Sequence, residues 1–492
     1  MSWAEADTIV DDVLEGVQSI IESQPSSKNY SAIVITTTSN SYIGETVFAR
    51  LTNGFEVFQG TLTDQGDGTG KAVIYTPYLG QYRVFVDQDS YSLVTIDNLG
   101  EIVSTTVNPY FLYGYKIAKY DTNPATRVTY TDMAVGFTPL TRDFAEDTTD
   151  MGDWEDTFIF KAFRPLMLQS NGSVAYELNH SDQRYRLDGV TASDISNTSF
   201  DGNAMVGVGT MWFKRWEDED YEYCQICDRQ LDSDFKAYAH TGSDGHTILE
   251  EIYLPMFEGS YVSSKVRSLA GQTPMNTNAG ATEKTGIEAN GAGWQFDDLS
   301  NWQLVRDVLY LFGKSTDVQA VYGKGHQDGG TAASSLLQTG TKKDKGAFSC
   351  SDTNDASKVL WLENYYGDRW DRKYGVVYTT AGKLLIKAYP PYNTDGTGYE
   401  NTGITFTGTS GGYISKTKMT EYGMLPLEAA GSDSTYDPDG LWWNTTQLNF
   451  LFAGGYCRGG AYCGFAWYVD DPFSNSHWSL GPSLSYKAPV AA

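Results

Sequence analysis

The chain has 492 residues, 40 % of them hydrophobic and 14 % aromatic, enough for two or three domains with sizeable cores. Its formal net charge of −27 argues against nucleic acid as a partner, because phosphates would be repelled, and keeps a densely arrayed protein in solution. The 50 glycines and 34 tyrosines favour strands, turns and contact surfaces over helical bundles, and five cysteines in this length do not make a disulfide scaffold.

Residues 1–7 lack the basic region and apolar core of a signal peptide, and no apolar run reaches membrane-spanning length. Cytoplasmic synthesis without membrane insertion is the expectation. Residues 3–22 predict a short helix. Ile9, Val10, Val13, Leu14, Val17, Ile20 and Ile21 share a stripe at helical spacing, Asp7, Asp11 and Asp12 suit its start, and Pro25 ends it. The segment 1–27 is therefore expected to pack on its neighbour or to dock on other subunits.

Residues 28–108 predict a small immunoglobulin-like β-sandwich without paired cysteines. Strand-like runs cover 32–37, 46–50, 55–58, 72–75, 82–86 and 93–96, with turn signals at Asn53-Gly54 and across Asp64–Gly70. The Asp64/Asp67 turn lacks the twelve-residue calcium-loop pattern and reads as a hairpin turn. Asn108-Pro109 marks a boundary.

Residues 109–492 predict one loop-rich α+β domain with insertions. Its best helix is 301–312, capped by Ser300 and ended by Gly313. Strands are expected at 157–160, 211–213, 221–226, 359–362, 375–378 and 383–387. Near the end, Trp442, Trp443, Leu448, Phe450 and Phe452 read as buried strand, Gly454-Gly455 opens a run of Tyr, Cys, Arg and Gly, and Trp467, Val469, Trp478 and Leu480 close the frame. Such a framed insert suits a binding surface, since Tyr and Arg give large contact area and Gly lets loops turn. The candidate ligand-binding residues are Tyr456, Cys457, Arg458, Tyr462, Cys463 and Phe465, with Trp442, Trp443, Trp467 and Trp478 as scaffold.

Other constellations carry less. Cys224-Gln-Ile-Cys227 lacks the second pair a zinc site needs and lies in a strand that sends its thiols opposite ways. Gly323-Lys-Gly-His-Gln-Asp-Gly-Gly330 lacks the Lys-Ser/Thr ending of a phosphate loop. Glu217–Asp220 reads as a solvated loop, and Asp433, Asp437 and Asp439 as a turn. Asn364–Arg372 reads as a packed corner with an Arg/Asp network. His180, His240, His246, His326 and His477 form no metal pair at i, i+4 and no nucleophile–base pairing, so no metal, cofactor or catalytic residue is expected.

A strand ending in Gly-Gly, a display segment, then Ser474-Asn-Ser-His-Trp-Ser-Leu-Gly481 resembles the end of a C-type-lectin-like domain. It is most similar to the variant shared by formylglycine-generating enzymes and the variable proteins of diversity-generating retroelements. Gly114–Lys119, Ser199–Ala204, Lys236–His240, Gly313–Asp317 and Thr409–Ser415 resemble, in order, a group of bacteriophage virion proteins that carry such a domain at the C-terminus. The resemblance covers roughly residues 110–490. It implies a virion structural protein of tail-fibre or head-fibre type, often trimeric, that binds a host cell-surface protein or glycan alongside other virion proteins and performs no catalysis. A formylglycine-generating oxidase would instead use Cys457 and Cys463 as copper ligands, since soft thiolates select Cu(I). Here Ala453 stands where that family has Arg, and the cysteine spacing differs. Residues 449–466 also contain no Trp, Lys, Glu, Gln or Met. Those types are unavailable to codons with random first and second bases and a pyrimidine third, as retroelement mutagenesis would leave. A purely structural capsid decoration protein is the remaining alternative.

Overall fold

Strands that alternate buried and exposed side chains, such as Thr46–Leu51 and Gly70–Thr76, stand beside strands buried on both faces, such as Trp370–Tyr378, in the computed structural model, which describes residues 30–37, 44–52, 57–65, 70–86, 91–107, 110–351 and 354–490. The helix expected at 3–22, the Asn53-Gly54 turn, the tip of the Asp64–Gly70 turn and the Asn108-Pro109 boundary lie outside the described residues. The chain divides into two units, Met1–Phe111 and Leu112–Ala492.

In the first unit two four-stranded sheets share one core. One sheet runs Thr63–Asp64, Gly70–Thr76, Ser31–Thr37, Ile102–Val107, and the other Val57–Thr61, Thr46–Leu51, Gly80–Phe85, Tyr91–Ile96. Ser31–Thr37 pairs antiparallel with Gly70–Thr76, placing Ser31 opposite Thr76, and parallel with Ile102–Val107. Period-two alternation sends Val47, Ala49 and Leu51 from one sheet, and Ala72 and Ile74 from the other, into the same interior. Tyr82 is buried there, and its hydroxyl meets Thr76 Oγ1 at 2.6 Å and donates to the Tyr78 carbonyl at 2.9 Å. A buried phenol needs such a partner.

The second unit is mostly β, and this corrects the α+β expectation: among the described residues strands make up 40 % and helix 10 %. Glycine-rich, β-branched and aromatic runs went into sheets, and few segments sustain a helical period. A four-stranded sheet orders Val128–Asp132, Leu112–Ala118, Tyr221–Cys227, Trp212–Glu217. A six-stranded sheet orders Val174–Glu177, Phe163–Gln169, Gly202–Gly209, Glu251–Pro255, Leu484–Tyr486, Trp294–Phe296. The largest sheet carries Trp370–Tyr378, Asn449–Ala453, Trp467–Val469 and Gly440–Asn444 as neighbours, with Leu480–Pro482 parallel to the first of these.

The helix Leu299–Gly313 is buried along its whole length up to Phe312, so it is an interior strut and not a one-sided surface helix. Its cap is Asp298, whose carboxylate accepts from Asn301 N at 3.1 Å. Ser300, the expected cap, donates its hydroxyl to Ala388 O. Asp307, on this helix, binds Arg215 Nε at 2.7 Å and the Tyr115 hydroxyl at 3.0 Å. Breaking such a buried pair from one side costs about 3–5 kcal/mol.

Two expected strands take other forms. Residues 157–160 begin a single helical turn, Phe158–Lys161, because Thr157 caps it and donates to Trp154 O. Residues 359–362 form a tight hairpin turn, with Leu360 and Trp361 at φ 49° and 63° between the paired Val359 and Leu362. The apolar run looked like a strand because all four residues are buried, and Trp361 is held by a hydrogen bond to His180 O.

The 364–372 corner has the expected Arg/Asp network, although its Trp370 also lines a cleft. Arg369 pairs with Glu258 at 3.3 Å and Asp371 at 3.4 Å, Arg372 with Glu283, and the adjoining Lys373 with Asp297 at 2.7 Å, all buried. Among the described residues no helix is long and apolar enough to cross a membrane.

Candidate ligand-binding site

The strand Asn449–Ala453 and the returning strand Trp467–Val469 pair antiparallel, Phe452 opposite Tyr468 and Ala453 opposite Trp467. Between them the chain turns at Gly454 and Gly455, with φ of 97° and 87°, where only glycine is relaxed. A Cβ on Gly455 would also stand 2.4 Å from Cys463 Sγ.

The loop backbone is then fastened from several sides. Gly454 O accepts from Gly367 N, and Cys457 N donates to Asp368 O. Cys457 O accepts from Gly330 N, and Gly460 N donates to Gln327 O. The Gln319 amide donates to Ala461 O at 2.9 Å and Cys463 O at 2.6 Å. Satisfied backbone groups make this a fixed platform, on which side chains point either inward or outward.

Tyr456, Arg458 and Tyr462 point outward and line a cleft of about 490 Å³. Tyr456 and Tyr462 are half-buried and Arg458 is exposed. The cleft wall continues through Trp370, Trp442 and Tyr468, and its rim through Asp471, Asn475, His477 and Ser479. The rings form a connected set. Trp370 lies 6.2 Å from Tyr456 at 27°, 5.3 Å from Tyr468 and 5.9 Å from Trp442 at 84°. Tyr462 lies 4.9 Å from Trp442 and stacks on Tyr413 at 4.0 Å. The Tyr468 hydroxyl donates to Asp471 at 3.1 Å, and burial, then the Asp471 charge, raises its pKa. His477 Nδ1 meets Ser479 Oγ at 2.8 Å.

Cys457, Cys463 and Phe465 are not on this surface, which corrects their assignment as ligand contacts. All three are buried. Phe465 packs into Trp302 of the interior helix at 4.5 Å, because Gly464, at φ 108°, turns the chain inward there. Cys463 Sγ faces the Tyr456 carbonyl at 3.4 Å, and burial pushes its thiol up. Burial, then the Asp368 charge, pushes the Cys457 thiol up to about 12.

The scaffold tryptophans divide too. Trp467 is core, whereas Trp442 lines the cleft and Trp478 is half-buried, 5.9 Å from Tyr456. Trp443, on the opposite face of its strand from Trp442, stacks on Phe406 at 4.8 Å. Leu448, read as buried, is 38 % exposed.

The sequence reading missed Trp370 and the rim at 468–479 as site residues. Trp370 stood in the charged word Asp368-Arg-Trp-Asp-Arg372, and only the parallel pairing of Leu480 with Trp370 brings the two segments together. No family model and no curated protein matches the chain.

Proposed function

We propose that the chain is a structural protein of a bacteriophage virion whose Leu112–Ala492 unit binds a glycan on the host surface in the cleft bounded by Tyr456, Arg458 and Tyr462. The observation that carries this reading is the convergence of those three side chains, from one loop, on an aromatic cleft rimmed by Asp471, Asn475 and His477. Aromatic faces give contact area at small entropic cost, and the rim supplies directional hydrogen bonds. The amino-acid types found in 449–466, and the ordered words resembling phage virion proteins, support the same reading. A backbone fastened at both ends suits a surface whose outward residues change while the fold stays. Trimer formation, contact with other virion proteins and a particle location belong to this proposal, and several copies would raise weak single-site binding by avidity. The oxidase alternative needs Cys457 and Cys463 as joint copper ligands. Their thiols turn to different neighbours, and no observation favours it.

The test is binding of the purified full-length protein to host cells, for the parent and for Tyr456→Ala, Arg458→Ala and Tyr462→Ala. Loss of an anchor costs about 2 kcal/mol, which is about a 30-fold loss of affinity, and is expected in at least one variant. Parent-level binding by all three folded variants sinks the reading. Binding that survives periodate treatment of the cells but not protease makes the ligand a protein.

A further inference from the structure

We propose that His326, Asp368 and Cys457 form a site for a divalent first-row transition metal of the zinc class, beneath the binding loop. Three segments far apart in sequence supply one ligand atom each, and these atoms all lie within 4.8 Å of one another. Two backbone hydrogen bonds hold the segments together: Cys457 N donates to Asp368 O at 2.9 Å, and Asp368 N to His326 O at 2.6 Å. All three side chains are buried. A thiolate, an imidazole and a carboxylate are the donor types zinc accepts in a four-coordinate site.

Two further observations point to a cation. Asp368 Oδ1 is bonded to His326 Nδ1 at 2.5 Å and accepts from Leu337 N at 3.0 Å, but Oδ2 is fully buried with no hydrogen-bond partner. The surrounding charge is also unbalanced toward the negative. The nearby Arg369 is engaged by Glu258 and Asp371 and donates to the carbonyls of Gly259, Met275 and Pro482. A dication would balance Asp368 and a Cys457 thiolate, whose proton is released on coordination. Space is kept beside the sulfur by Gly330, where a Cβ would stand 2.3 Å from Cys457 Sγ.

Because the site is buried, metal has to enter as the chain folds. The probe is therefore Co(II), supplied in the growth medium during expression of the full chain, with Zn(II) in a parallel culture. One equivalent of metal per chain is expected, and the cobalt protein should show a thiolate-to-cobalt absorption band. That band should vanish in Cys457→Ser and persist in Cys463→Ser. Asp368→Asn should lose its metal to a chelator at least tenfold faster than the parent. A folded parent without stoichiometric metal overturns the proposal, as does metal bound without the thiolate band or a band that survives Cys457→Ser. If Cys457→Ser does not fold, the parent's metal content and band decide the matter, with His326→Gln as the second ligand variant. The result is independent of whether the cleft above binds a glycan.

Discussion

Truncating Phe465 to alanine separates the inward face of the 454–466 loop from its outward face. Phe465 is 1 % exposed, and its ring lies 4.5 Å from Trp302, 6.3 Å from Tyr310 and 6.5 Å from Tyr365. Removing a buried phenyl ring costs about 3–5 kcal/mol, and the spread reflects how far the site can collapse. Here the floor is the Leu299–Gly313 helix, buried throughout and pinned by Asp307, so collapse is limited and about 4 kcal/mol is expected. Arg458→Ala, seven residues earlier in the same loop, removes an exposed side chain that makes no ion pair among the described residues, and should fall within about ±0.5 kcal/mol. The assay is urea unfolding of the full chain followed by tryptophan fluorescence. Every one of the 12 tryptophans except Trp3 lies in the second unit, so the signal reports that unit. At an m-value of about 3 kcal/mol/M, Phe465→Ala should lower the midpoint by about 1.3 M. A shift under about 0.3 M for Phe465→Ala, or a larger shift for Arg458→Ala, would refute the division of the loop into two faces.

Glu222 should make stability fall as pH rises. Burial raises its pKa to about 7, against the Thr417 hydrogen bond that favours its charged form, so the folded chain keeps a proton that the unfolded chain releases. The loss runs from about pH 4.5 to about pH 7 and totals about 3 kcal/mol. Comparing urea midpoints of the parent and Glu222→Gln across that window isolates the effect from His240, whose pKa burial lowers to about 4 and whose slope is opposite. Equal slopes for the two proteins would show that Glu222 is not the source. A second expectation concerns Arg372, fully buried against Glu283. Glu283→Leu should cost about 3–5 kcal/mol, whereas Glu283→Leu with Arg372→Met should recover most of it, as read by the same unfolding assay. A double variant no better than the single one would rule out an unpaired charge as the cause.

What could be read from the sequence was what local chemistry decides. The helix expected at 301–312 was legible because Trp302, Val305, Val308, Leu309 and Phe312 recur at helical spacing, and Gly454-Gly455 marked the turn into the 454–466 loop. Tyr456, Arg458 and Tyr462 were legible as outward-facing residues because bulky polar aromatics and Arg flanked by glycine suit a loop surface. The failures came where tertiary contacts decide. Ser300 looked like a cap, yet its hydroxyl is claimed by Ala388 O, and Asp298 caps instead. Phe465 looked like one more aromatic of the display run until Gly464 turned it under the loop. The His326, Asp368 and Cys457 grouping has no spacing signature at all, since its members come from three loops. The only local hint was a lone histidine in the glycine-rich word 323–330.

The placement of Leu484–Tyr486 has a consequence for synthesis. These residues lie between Glu251–Pro255 and Trp294–Phe296, with Tyr486 opposite both Tyr253 and Trp294. Until Leu484–Tyr486 is made, each of these older strands has an unpaired edge. The six-stranded sheet therefore closes only after nearly all of the second unit has been translated, and until then its open edges are exposed to edge-to-edge association.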